Sequence, residues 1–107
     1  MNDNFEVEPA VLMAKITAET ARISWLELQK FYASGAVLMV SVQQDLVDVA
    51  YAFARDDKQT VASWLAQGHL SRVEPAQAQL WYEQKTEVWA VVVSPWVLVQ
   101  DGKPLAH

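Results

Sequence analysis

From Val88 to Val99 the chain reads Val-Trp-Ala-Val-Val-Val-Ser-Pro-Trp-Val-Leu-Val, a β-rich run that is apolar at odd and even positions alike and is broken once, at Ser94-Pro95. Successive side chains of a strand point to opposite faces, so a run without a polar face is satisfied only when something covers both sides. The pattern predicts one long C-terminal strand. Pro95 cannot donate a ladder hydrogen bond, which assigns it to a bulge, a bend or the outward side of an edge.

The remaining periodicities alternate with this one. Glu8-Pro9 places a proline at a first helical position, and Leu12, Ile16, Glu19/Thr20 and Ile23 follow helical spacing. Ser24-Trp25-Leu26-Glu27 matches a capping box and marks a fresh helix that carries Leu28, Phe31 and Tyr32 to a stop at Gly35. Ala36 to Val42 alternates as a nearly two-sided strand, and Leu46, Val49/Ala50 and Phe53 give an amphipathic helix within Gln44–Arg55. Asp56-Asp57 breaks that helix and caps another, with Val61, Trp64 and Leu65, which ends at Gly68. His69 to Val73 is a short second strand, Glu74-Pro75 opens a last helix with Ala76, Leu80 and Trp81, and Thr86 leads into the final strand. The expected fold is therefore α+β, a small single domain with helices packed on a three-stranded antiparallel or mixed sheet and a long C-terminal strand. Its boundaries are set at residues 9–100, between tails at 1–8 and 101–107.

Composition narrows the function classes. The chain has 107 residues, 52% of them hydrophobic, enough for one core. Thirteen acidic against eight basic side chains give a net charge of −5, and Lys and Arg are scattered over different elements, so nucleic acid is a poor partner. No apolar run approaches the roughly 20 residues that cross a bilayer, and the acidic start Met1-Asn2-Asp3-Asn4-Phe5-Glu6 is unlike an export signal, which makes the cytoplasm the simplest address. With no cysteine, thiolate catalysis and cysteine-bound zinc are excluded, and no motif calls for a cofactor.

Two groups of residues compete as candidate sites. Five tryptophans are many for so short a chain. Burial patterns around Trp64 and Trp89 favour core packing. Trp96, displaced by the Ser94-Pro95 break, and Trp25, at the first turn of its helix, are the two expected at the surface, where with Pro95 they would anchor a partner. The second group is Asp45, Asp48, Asp57 and His69, read as a carboxylate and histidine pocket of a small-molecule or metal-binding enzyme if the four converge. Against this, Asp45 and Asp57 stand where helix caps stand, a calcium loop would need a glycine and a closing glutamate that are absent, and one internal histidine is more simply a loop residue held by its backbone.

The stretches Glu19-Thr20-Ala21-Arg22-Ile23, Trp25-Leu26-Glu27-Leu28-Gln29, Asp45-Leu46-Val47, Asp56-Asp57-Lys58 with Trp64-Leu65 and Gly68, Trp89-Ala90-Val91-Val92-Val93 and Pro95-Trp96-Val97-Leu98-Val99-Gln100 resemble a family of small bacterial proteins catalogued as domain of unknown function 2288. The resemblance runs from about Lys15 to Gln100, and its closing motif is the most specific part. It implies a free-standing bacterial cytoplasmic protein and carries with it no activity, ligand or catalytic residue. The expectation is thus a non-catalytic interaction or regulatory module. It is expected to form a homodimer, because the two-sided strand needs more cover than one layer of helices supplies, or to bind another protein.

Overall fold

Local signals in the chain place most of the elements. The computed structural model describes residues 8–101, so the expected tails lie, apart from Glu8 and Asp101, outside the described residues. Pro9 opens α1 (Pro9–Glu19), and Thr20 closes it in extended conformation. Strand β1 (Ala21–Ser24) follows at once and leads through a 3-10 turn (Trp25–Leu28) into α2 (Gln29–Ala33). The Ser24 hydroxyl accepts a hydrogen bond from the Leu26 amide at 3.2 Å, which caps that turn. Gly35, at φ +81°, supplies the left-handed residue that ends the segment before β2 (Val37–Val40).

Asp45 caps α3 (Leu46–Ala54), its Oδ1 accepting from the amides of Val47 (2.8 Å) and Asp48 (3.2 Å). After the corner at Arg55-Asp56, where Asp56 takes φ 57°, Asp57 caps α4 (Lys58–Gln67), and Gly68 at φ +82° terminates it. Then come β3 (Leu70–Arg72), α5 (Pro75–Glu83), β4 (Glu87–Val93) and β5 (Trp96–Gln100).

The sheet has five strands in the order β1-β4-β5-β2-β3, not three. Two differences account for the change. Ile23, which fits the helical spacing of α1, lies in β1, a four-residue edge strand whose first two residues are exposed and which therefore leaves almost no alternation to read. The long C-terminal run is a hairpin rather than one strand: Ser94-Pro95, joined by a cis bond, turns the chain so that β4 and β5 pair antiparallel, with Val93 opposite Trp96 and Trp89 opposite Gln100. Strand β5 also pairs parallel with β2, which makes the sheet mixed.

The helices divide over the two faces. Trp25, Leu28, Ala78 and Trp81 pack with Val88, Ala90, Val97 and Val99 on one side; Ile16, Leu46, Val49 and Ala50 pack with Val91, Leu98, Leu38 and Val40 on the other. The alternation of β5 sorts its residues accordingly, Val97 and Val99 to the first core and Trp96 and Leu98 to the second. Each fully buried valine or leucine contributes about 1.5–3 kcal/mol, so these two small cores supply most of the drive to fold. Within one chain the two helical layers cover both faces of the β4–β5 run over most of its length, but Val92, 60% exposed, is left open and Trp96 is only partly buried.

Candidate functional site

Two of the residues expected at a contact surface line the same groove. Its volume is about 310 Å³, with Val93, Ser94, Pro95 and Trp96 of the hairpin turn on one side and Phe53, Asp57, Val61 and Leu65 of α3 and α4 on the other. The alternation that sends Leu98 into the second core points Trp96 the same way, but at the end of the sheet, where helical cover runs out and the indole is only partly buried. Pro95 is exposed. Opposite them Leu65 of α4 keeps 48% of its surface accessible. Amphipathic spacing made Leu65 a core candidate, and the groove is why it is not.

The rim of the groove carries two carboxylates, Asp56 and Asp57, against one cation, Lys58. Lys58 stands 3.9 Å from Asp56 with both side chains highly exposed, a geometry that contributes little. Asp57 accepts hydrogen bonds from the Thr60 hydroxyl (2.8 Å) and the Thr60 amide (3.2 Å), which hold its carboxyl below the usual carboxylate range. Asp57 is therefore ionised at neutral pH and engaged in capping.

Trp25 requires a correction. Expected at the surface with Pro95 and Trp96, it is 0% exposed and sits in the other core, its ring 5.0 Å from that of Trp81 and 5.3 Å from that of Tyr32. The reason is the approach of the chain. The Trp25 backbone amide donates to Thr86 O at 2.9 Å, tying the first residue of the turn to the segment before β4 and directing its side chain inward. Its indole Nε1 is buried and makes no hydrogen bond. Trp64 and Trp89, expected in the core, are partly buried against the α3 side.

The carboxylate and histidine set is not brought together. Asp57 lines the groove, whereas Asp45 lines a different cavity, beyond the carboxyl ends of β2 and β5. Asp48, whose carboxyl is pushed up by burial and by the neighbouring Asp45, and His69 line neither. His69 is held through its backbone, its amide donating to Trp64 O and its carbonyl accepting from the Ser41 amide, both at 2.9 Å. Among the described residues no group of three or more such side chains is placed to hold a metal ion, and no helix is long and apolar enough to cross a membrane. Sequence reasoning missed Gln100. A glutamine closing an otherwise apolar strand was the available signal, and its side chain is buried, bridging Ser41 O (2.9 Å) and Gln44 O (2.7 Å).

These features define a small α+β protein with a mixed five-stranded sheet between two helical layers and an aromatic groove at one end of its central hairpin. Residues 11–101 match the family described as protein of unknown function, DUF2288, and the chain belongs to that family. It is similar over nearly its whole length to the NMR solution structure of PA1075 from Pseudomonas aeruginosa, with 44% sequence identity, coverage of 99% of this chain and 98% of that one, and a TM-score of 0.76. No curated protein matches the chain.

Proposed function

We propose that the protein is a non-catalytic interaction module that takes an apolar side chain of another protein into the groove between the β4–β5 turn and the α3–α4 corner. The observation that carries this reading is the position of Trp96, partly buried, beside exposed Pro95 and facing half-exposed Leu65 across a concave space. A tryptophan that forms the wall of a preformed pocket gives a partner a large, rigid contact area that is already partly desolvated, the usual character of an interface hot spot. The expectation of a homodimer rested on the need for outside cover of the two-sided strands. The chain's own helices supply that cover except at Val92, which stays 60% exposed; the concave groove is the more specific surface, and a second copy is kept as an outcome of the test.

The test is site-specific photo-crosslinking in the producing cell, with a photoreactive phenylalanine analogue replacing Leu65 and, as control, Tyr82, which is exposed on α5. The reading expects one defined protein joined at position 65, absent at position 82, and lost when Trp96→Ala is added. Crosslinks equal at both positions, or unaffected by Trp96→Ala, would reject it. A product of two copies of this chain would restore the homodimer.

A further inference from the structure

Trp96, Leu98 and Gln100 alternate on one face of β5, so the strand that brings Trp96 to the groove brings Gln100 to a separate cavity at its other end. This second cavity, about 230 Å³, is lined by Thr17 and Thr20 of α1, Gln44 and Asp45 before α3, Trp89 and Gln100, with aliphatic side chains closing the wall. It lies beyond the carboxyl ends of β2 and β5, the two parallel neighbours of the sheet.

The Trp89 indole N–H is a donor in the lining, on a side chain that is not without a partner; the hydrogen-bond inventory of the other side chains is one-sided. Gln100 is 5% exposed, and its Nε2 donates both hydrogens, to Ser41 O and Gln44 O. Both partners are carbonyls, which only accept, so the amide cannot be turned around and Oε1 is the atom left over. The Thr17 hydroxyl donates to Met13 O at 2.8 Å and the Thr20 hydroxyl to Ile16 O at 2.7 Å, leaving their oxygen lone pairs. Oδ1 of Asp45 takes the two amides at the start of α3, and Oδ2 has no hydrogen-bond partner among the described residues. Four side chains thus offer acceptors alone, one of them charged. Gln44 can present either end of its amide and does not alter that balance. The positive end of α3, which would otherwise draw an anion, is already met by Asp45. Arg22, over the Trp89 ring at 5.9 Å, has its own carboxylate in Glu87 at 3.7 Å.

We infer that this cavity binds a small organic cation, a primary ammonium on a short apolar chain, with the ammonium between Asp45 and Gln100 and the chain along the aliphatic wall. An ammonium carries three donors and no acceptor, the complement of this lining. The inference does not depend on what occupies the groove.

The experiment is a two-dimensional amide NMR titration of the full chain with n-butylammonium chloride, sodium butyrate and 1-butanol, at equal ionic strength. Saturable shifts of the Trp89 indole N–H and the Gln100 side-chain amide with n-butylammonium, at millimolar levels up to about 50 mM, are the range expected of a ligand with so few heavy atoms. Butyrate and butanol should bind at least about fivefold more weakly, as should n-butylammonium to Asp45→Asn, a variant that retains a capping side chain and loses the charge. Thr17→Val, whose hydroxyl only bonds its own helix, should also weaken binding with the amide spectrum otherwise unchanged. Equal affinity for butyrate, an unchanged affinity in Asp45→Asn, or no shift at these two groups with n-butylammonium would overturn the inference.

Discussion

Replacing Trp25 separates the structural account from the surface role that its place in the sequence suggests. Its side chain is fully buried between Trp81 and Tyr32. Truncation of a core tryptophan to alanine costs about 3–5 kcal/mol through lost transfer energy and the cavity left behind, and the two ring contacts put Trp25→Ala in the upper part of that range. At about 4–8 °C per kcal/mol for a domain near this size, the melting temperature falls by at least about 16 °C. Trp25→Phe should behave differently. It loses about 1–2 kcal/mol of buried apolar contact, and it also removes Nε1, a buried donor without an acceptor, whose burial costs about 1–3 kcal/mol. The two terms nearly cancel, so the phenylalanine variant should lie within about 1 kcal/mol of the parent. Urea denaturation of the three proteins reads both differences. A cost below about 1 kcal/mol for Trp25→Ala would put the indole at the surface and refute the packing described here. A phenylalanine variant as unstable as the alanine one would show that Nε1 has a partner after all.

Other expectations follow from single contacts. Gln100→Leu removes two hydrogen bonds; Ser41 O keeps a partner in the Gln44 amide whereas Gln44 O is left open, so a loss of about 2 kcal/mol is expected in the same urea assay. Asp57→Ala removes the cap of α4 and should lower the melting temperature at neutral pH. Because hydrogen bonds from Thr60 hold the folded-state pKa of Asp57 below its unfolded value, that contribution is complete above the unfolded value of 3.8 and is lost as pH falls through the lower, folded one. Melting curves of parent and Asp57→Ala should therefore converge only in strong acid, and a constant difference down to that range would contradict the cap. Gly68→Ala meets no atom within 4 Å but must adopt φ +82°, so it should cost about 1 kcal/mol in chemical denaturation and leave the far-ultraviolet circular dichroism of the folded protein unaltered.

Helix boundaries were the legible part of this chain because single residues carry them. Pro9, Gly35, Asp57, Gly68 and Pro75 each act through their own backbone or side chain, and each stands where its chemistry predicts. The two-sided apolar run demanded cover on both faces, and the helices give it at every position but the outer end of β4, where Val92 stays exposed. What it did not reveal was the hairpin, since Ser-Pro between apolar stretches suits a bulge as well as a turn, and only pairing with β1 and β2 distinguishes them. Strand β1 stayed hidden because an edge strand with exposed residues shows no alternation, and Ile23 happens to continue the helical spacing of α1. Asp45 and Asp57 were readable as caps, and that role is the one their hydrogen bonds describe. Trp25 was misplaced because periodicity assigns a residue to a helix face without saying how the helix is entered. The groove itself depends on where α4 meets the hairpin, a distance that no local pattern encodes.

The proposed docking of another protein at the Trp96 groove is tested most directly by the affinity of the partner crosslinked at position 65, measured by titration calorimetry for the parent chain, Trp96→Ala and Tyr82→Ala. All three proteins should first show the same far-ultraviolet circular dichroism. Loss of more than about 1 kcal/mol in Trp96→Ala, with Tyr82→Ala unchanged, is the predicted result. Equal affinity for all three would contradict the account and remove the groove from the contact surface.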